Sequence, residues 1–235
     1  MEPVADGVHL VRGGFPKRVM NVYLLEDDGG VTLFDAGIRD MAAGLRAAAE
    51  PLGGIRRIVL GHAHEDHRGA AAELSAPVLC HEAERAYAEA ENQPTDYFRL
   101  ELIEKRPMRV LMSRMLHLWD GGPVRVAETL AEGDEIAGFR VVCVPGHAPG
   151  MIALFRESDR LALTTDSFYT LDPMSYTSAY GPPRTPHEAY SQSTEQARES
   201  IRKLAALEPA SAWPGHADPL VGDVRAQLER AAATT

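Results

Sequence analysis

Three features of the chain predict an α/β fold: a β-meander at the start, a strand-helix-strand rhythm after it, and a second β-rich stretch beyond residue 120. No low-complexity segment or linker breaks this order, and no fixed-period repeat is present. One domain over residues 1–235 is therefore expected, with a helical insertion at about 83–120.

Val8 to Val11, Val19 to Leu25 and Val31 to Asp35 are apolar and β-prone. They are parted by Arg12-Gly13-Gly14 and by Asp27-Asp28-Gly29-Gly30, the second a strong hairpin signal. Met41 to Glu50 is rich in Ala, Leu and Arg and stops at Pro51 and Gly53-Gly54, which predicts a helix. Ile55 to Leu60 then predicts a strand, Gly69 to Leu74 a short helix and Pro77 to Cys80 another strand.

Ala83 to Glu91 is strongly helical until Asn92-Gln93-Pro94 breaks it. Tyr97 to Trp119 carries apolar residues at helical spacing, with Pro107 as an interruption. Phe98, Met112, Met115 and Trp119 in this stripe suit core packing, and they also suit the adaptable apolar wall of a lid over a cleft. Strands are expected again at Val124 to Leu130, Phe139 to Val144, Met151 to Arg156, Leu161 to Thr165 and Ala210 to Trp213. Pro182 to Pro186 predicts a rigid connection, Pro186 or His187 the start of a helix running to about Leu207, and Val224 to Ala233 a final helix.

The chain has 235 residues, of which 45% are hydrophobic, enough for a sizeable core. Its N-terminus lacks a basic and apolar leader pattern, and no uncharged apolar run approaches the roughly 20 residues of a membrane span. A cytoplasmic protein with no membrane partner is expected. Cys80 and Cys143 sit in β-like apolar runs and are expected as reduced thiols. A formal charge of −10 opposes binding to nucleic-acid phosphates.

The densest chemical signal is Gly61-His62-Ala63-His64-Glu65-Asp66-His67, directly after Ile58-Val59-Leu60. Side chains two apart in an extended segment point the same way, so His62 and His64 can close on one ion while Asp66 and His67 reach a second. Further ligand types follow apolar or β-prone runs: His147 in Val144-Pro145-Gly146-His147, Asp166 in Thr164-Thr165-Asp166, and His216 in Trp213-Pro214-Gly215-His216. His9, His81, His117 and His187 lie in contexts that do not suggest ligands.

In these motifs the chain resembles the metallo-β-lactamase superfamily of metallohydrolases over nearly its whole length. The resemblance implies a four-layer αββα sandwich with metals at one edge between two sheets. It implies two divalent ions, Zn2+ first and Fe or Mn as alternatives. His62, His64 and His147 would hold one ion and Asp66, His67 and His216 the other, with Asp166 bridging. A hydroxide between the ions would attack a carbonyl, and Asp66 would guide a proton to the leaving group. Asp35, in Leu33-Phe34-Asp35-Ala36-Gly37, matches an early Asp-x-Gly element and would orient a ligand histidine.

Gly61 replaces a frequent Thr or Ser, and Met151 a frequent polar residue, but neither position is a ligand. A bridging Asp166 argues against β-lactam hydrolysis. Tyr169, three residues past Asp166, matches the acyl-homoserine lactone lactonases, whereas the glutathione thioesterases usually carry an apolar residue there. The leading expectation is a dinuclear hydrolase of lactones or esters, with Asp66, Asp166 and Tyr169 as catalytic groups and a small molecule as substrate. The alternatives are a thioesterase of the hydroxyacylglutathione hydrolase type, for which Arg198, Arg202 and Lys203 are the scattered basic candidates, a mononuclear-iron persulfide dioxygenase, and a non-catalytic binding module. A homodimer stays open.

Overall fold

The structure is a computed structural model that describes residues 1–14, 19–91, 97–172 and 180–234. The backbone groups into two compact units, Met1–Gln93 with Arg114–Leu130, and Pro94–Ser113 with Ala131–Thr235.

The first unit is built on a mixed seven-stranded sheet in the order β1-β2-β3-β4-β5-β6-β7. Its strands are β1 (Glu2–Ala5), β2 (Val8–Gly13), β3 (Met20–Asp27), β4 (Gly30–Phe34), β5 (Ile55–Val59), β6 (Val78–His81) and β7 (Val126–Leu130). The meander β1 to β4 is antiparallel, and β4 to β7 run parallel. Asp28 and Gly29 both have positive φ (44° and 79°) between paired Asp27 and Gly30, the two-residue turn that the Asp-Gly pattern requires. Every residue of β4 is buried, as a strand covered on both faces demands. Strand β1, formed ahead of the Asp6-Gly7 turn, escaped the sequence reading because Glu2–Ala5 is too short to show alternation.

Helix α1 (Ala42–Ala49) follows β4, and α2 (Glu65–Arg68) and α3 (Ala71–Leu74) follow β5. Helix α4 (Glu82–Ala88) follows β6 and begins on His81, whose Nδ1 accepts the Ala83 amide at 3.2 Å. The expected break at Asn92-Gln93-Pro94 lies outside the described residues. Pro107 does not interrupt a helix: α5 (Arg106–Trp119) starts one residue before it, so the missing N–H falls in the first turn where no intrahelical acceptor is lost.

In the second unit a six-stranded sheet runs in the order β15-β14-β11-β10-β9-β8. Its strands are β8 (Glu135–Ile136), β9 (Phe139–Cys143), β10 (Ile152–Arg156), β11 (Leu161–Thr165), β14 (Ser211–Pro214) and β15 (Leu220–Val221). A separate ribbon pairs β12 (Tyr169–Leu171) with β13 (Tyr180–Arg184). The Pro-rich stretch expected as a connection is thus partly a strand, tolerated because a two-stranded ribbon leaves open edges where an N–H is not needed. The long helix expected from Pro186 is also corrected. A 3-10 turn at Glu188–Tyr190 comes first, and α6 (Thr194–Ala206) starts at Ser193, whose hydroxyl accepts the Gln196 amide. Helix α7 (Val224–Ala233) has the expected bounds.

Phe98 and Met112 pack against a buried cluster of Ile103, Met108, Ala189 and Tyr190. No helix among the described residues is long and apolar enough to cross a membrane.

Candidate metal centre

In each unit, two neighbouring parallel strands bring functional side chains together at their C-terminal ends, the usual location of sites in α/β sheets. In the first unit these are β4 and β5, paired Phe34 to Val59. The Asp35 amide extends the ladder to the Val59 carbonyl at 2.8 Å, which sets Asp35 beside the loop leaving β5. One carboxylate oxygen of Asp35 accepts the Gly61 amide at 2.8 Å. The other lies 2.9 Å from Nδ1 of His67. A carboxylate here only accepts, so His67 carries its proton on Nδ1, which makes Nε2 the atom that could bind a metal.

His64 stands at the N-cap of α2 in extended conformation, which turns the chain so that Asp66 and His67 fall on the helix. Nε2 of His62 and Nδ1 of His64 are 2.9 Å apart. The rings of His62 and His67 lie 4.1 Å apart between centroids, tilted by 45°, and Asp66 and His67 also bring possible ligand atoms within 4.8 Å of each other. His62, His64 and His67 are at most 2% exposed, whereas the Asp66 side chain keeps 14% of its surface.

In the second unit the parallel pair is β11 and β14, with Thr165 opposite Pro214 and the Gly215 amide donating to the Thr165 carbonyl at 2.7 Å. Asp166 and His216 follow from it. His147 arrives on the loop after β9, where Gly146 has φ 132° and passes so near α6 that a Cβ would lie 2.1 Å from the Ala197 nitrogen. One oxygen of Asp166 is then the meeting point: His216 Nε2 lies 3.2 Å away, His147 Nε2 3.5 Å, and the Tyr169 hydroxyl donates to it at 2.9 Å. The Tyr169 ring is edge-on to both histidines.

The backbone around these groups is strained. Asp35 (φ 64°), Thr165 (φ 41°) and Ala217 (φ 62°) all adopt left-handed conformations, and each is, or adjoins, one of the residues above. For a β-branched residue such as Thr165 this is a true outlier, and such conformations cost on the order of 1–3 kcal/mol each.

Two side chains that the sequence reading did not single out support the motif. Arg68 is fully buried and donates to the carbonyls of Tyr87, Ala88 and Ala90 and to both oxygens of Asp120. Glu84 is also fully buried and accepts the Ala63 amide at 2.9 Å. Neither stands in a pattern that a single sequence reveals. Burial pushes the Glu65 carboxyl up to about 7, with Asp66 adding to the rise and Arg68 opposing it. His81 and His187 each accept a backbone amide at the start of a helical turn, and His9 lies 2.7 Å from Glu26.

The donor chemistry fits a small divalent cation. Two ligands on a tetrahedral ion with bonds of about 2.0–2.1 Å sit roughly 3.3 Å apart. The His62–His64 separation of 2.9 Å and the Asp166 contacts of 3.2 and 3.5 Å bracket that figure. Imidazole with carboxylate is a set that zinc, iron and manganese all accept.

A family model of the metallo-beta-lactamase superfamily matches residues 17–216. Among curated proteins, the probable metallo-hydrolase YflN of Bacillus subtilis is 28% identical over 93% of this chain and 86% of its own length. The probable metallo-hydrolase YqjP of the same organism is 26% identical over 89% of this chain and 70% of its own. Among solved structures, the metallo-beta-lactamase family protein TTHA1429 of Thermus thermophilus is 25% identical with a TM-score of 0.69, covering 97% of this chain and 79% of its own. TTHA1623, solved in a di-iron-bound form, is 24% identical with a TM-score of 0.68 over 95% of this chain and 98% of its own. The fold is therefore the α/β metallo-β-lactamase fold.

Proposed function

Because the chain belongs to the metallo-β-lactamase superfamily, we propose that it is a dinuclear metal-dependent hydrolase of lactones or esters. His62, His64 and His147 would hold one ion and Asp66, His67 and His216 the other, with Asp166 contributing to both, as the family motif implies. Names of relatives as probable metallo-hydrolases support metal-dependent hydrolysis in general. When bound, a pair of divalent ions supplies hydroxide near neutral pH and polarises the substrate carbonyl. Zn2+ is the first candidate.

The protein's own groups have distinct tasks. Asp35 fixes the His67 tautomer through Nδ1. Asp66, the ligand carboxylate with surface left to solvent, can pass a proton to the departing alkoxide. Tyr169 carries the choice of substrate: its hydroxyl, whose single proton goes to Asp166 in the free protein, can turn to donate to a lactone oxygen as charge develops there, and one such donor contributes about 2.7–4 kcal/mol. Of the three basic candidates for a glutathione thioesterase, Lys203 is engaged by Glu132 and the Cys143 carbonyl and Arg198 by the Thr234 carbonyl, which leaves exposed Arg202 as a single cation where two carboxylates need holding.

Metal analysis of the purified protein, with rates on a panel of lactones, thioesters, β-lactams and phosphodiesters, tests the reading. Two ions per chain and fastest turnover of lactones are expected. One iron per chain with oxygen uptake on persulfides would replace this reading with the dioxygenase.

A further inference from the structure

Ala63 lies between two proposed ligands and is fully buried. The chain has left β5 at this point, and a buried amide needs an acceptor. Glu84 of α4 provides it at 2.9 Å, although a fully buried carboxylate is rare without a specific partner. Helix α4 is itself held from the other end of the motif: Arg68 donates to the carbonyls of Tyr87 and Ala88 at 2.8 Å and of Ala90 at 3.2 Å. The segment from Ala63 to Arg68 is thus tied at both ends to one short helix.

We infer that Glu84 is a positioning residue that sets the spacing of His62 and His64 through the Ala63 amide. This rests on the reading of those histidines as ligands. The relevant property is the hydrogen bond, so a neutral acceptor of the same reach substitutes for the carboxylate and an apolar side chain does not.

The test compares Zn2+ affinity of the full chain by chelator competition in wild type, Glu84→Gln and Glu84→Leu, with urea unfolding as a control on folding. Glu84→Gln is expected to bind within about threefold of wild type, and Glu84→Leu about 10–100-fold more weakly, which is the usual range for losing support around a ligand. Equal affinity in Glu84→Leu, or a loss in Glu84→Gln as large as in Glu84→Leu, overturns the inference. Should Glu84→Leu not fold, hydrogen exchange of the Ala63 amide in the metal-free wild type decides: protection is expected, and exchange at the rate of an open loop overturns it. A wild type that binds no metal overturns the functional reading itself, a result distinct from normal binding that Glu84→Leu leaves unchanged.

Discussion

Nδ1 of His67 lies 2.9 Å from a carboxylate oxygen of Asp35, and both side chains are 1% exposed. The contact joins the end of one strand to the helix after its parallel neighbour, and the Ala36 amide repeats the link by donating to the His67 carbonyl at 2.7 Å. Two buried groups so arranged leave the imidazole one tautomer and one orientation.

Asp35→Asn should break that selection. The amide oxygen can still accept from Gly61, but its NH2 then faces Nδ1 and drives the proton to Nε2, the proposed ligand atom. Metal affinity should fall about 10–100-fold with little loss of stability, measured by chelator competition. Unchanged affinity would show that His67 is not held by Asp35.

Arg68 supports the first unit independently of any metal. Arg68→Met leaves Asp120, 17% exposed, without its cation, and takes one donor from each of three carbonyls, of which that of Ala88 keeps the Val124 amide. Breaking a buried pair from one side costs about 3–5 kcal/mol. Urea unfolding of the metal-free protein should show that loss, and Arg68→Lys should recover little of it because one ammonium cannot span the same acceptors. A loss below about 1 kcal/mol would sink the assignment.

The two thiols should be unreactive. Burial pushes Cys80 up to about 12, with the nearby Glu84 carboxylate adding to the rise, and burial also raises Cys143, beside Glu132. A native thiol with raised pKa keeps its proton where the unfolded one loses it, so the stability it contributes is complete below about 9 and declines as pH rises from there toward 12. At pH 8 an aromatic disulfide reagent should titrate neither thiol rapidly in the folded protein and both after denaturation. Fast reaction of one native thiol would contradict this.

The elements most legible in the sequence were those whose local chemistry decides the outcome. Asp28-Gly29 forced a hairpin, and the apolar run into Gly61 marked a strand that ends at a loop of ligand types. What was missed depended on distant partners. Tyr180–Arg184 is a strand only because Tyr169–Leu171 pairs with it, overriding its prolines. Phe98 and Met112, read as lid or core, pack on Ile103, Met108, Ala189 and Tyr190, a cluster that no local pattern reveals. Asp35 was visible as a motif residue, but Glu84 and Arg68 do their work across 21 and 52 residues of sequence, at Ala63 and Asp120.

Tyr169→Phe separates the lactonase from other hydrolases of the family. The ring stays packed edge-on to His147 and His216, so the ligands keep their places and metal content should be unchanged. What is lost is one O–H, now donated to the Asp166 oxygen that also meets both histidines. If this group donates to the lactone oxygen as charge develops, its removal acts on the transition state more than on substrate binding. The expected outcome is a fall in kcat on lactones of roughly tenfold to a thousandfold with a smaller change in KM. Loss of metal together with activity would mean that the hydroxyl serves Asp166 alone. An unchanged kcat would remove the main support for lactones and leave metal-dependent hydrolysis of another carbonyl substrate in its place.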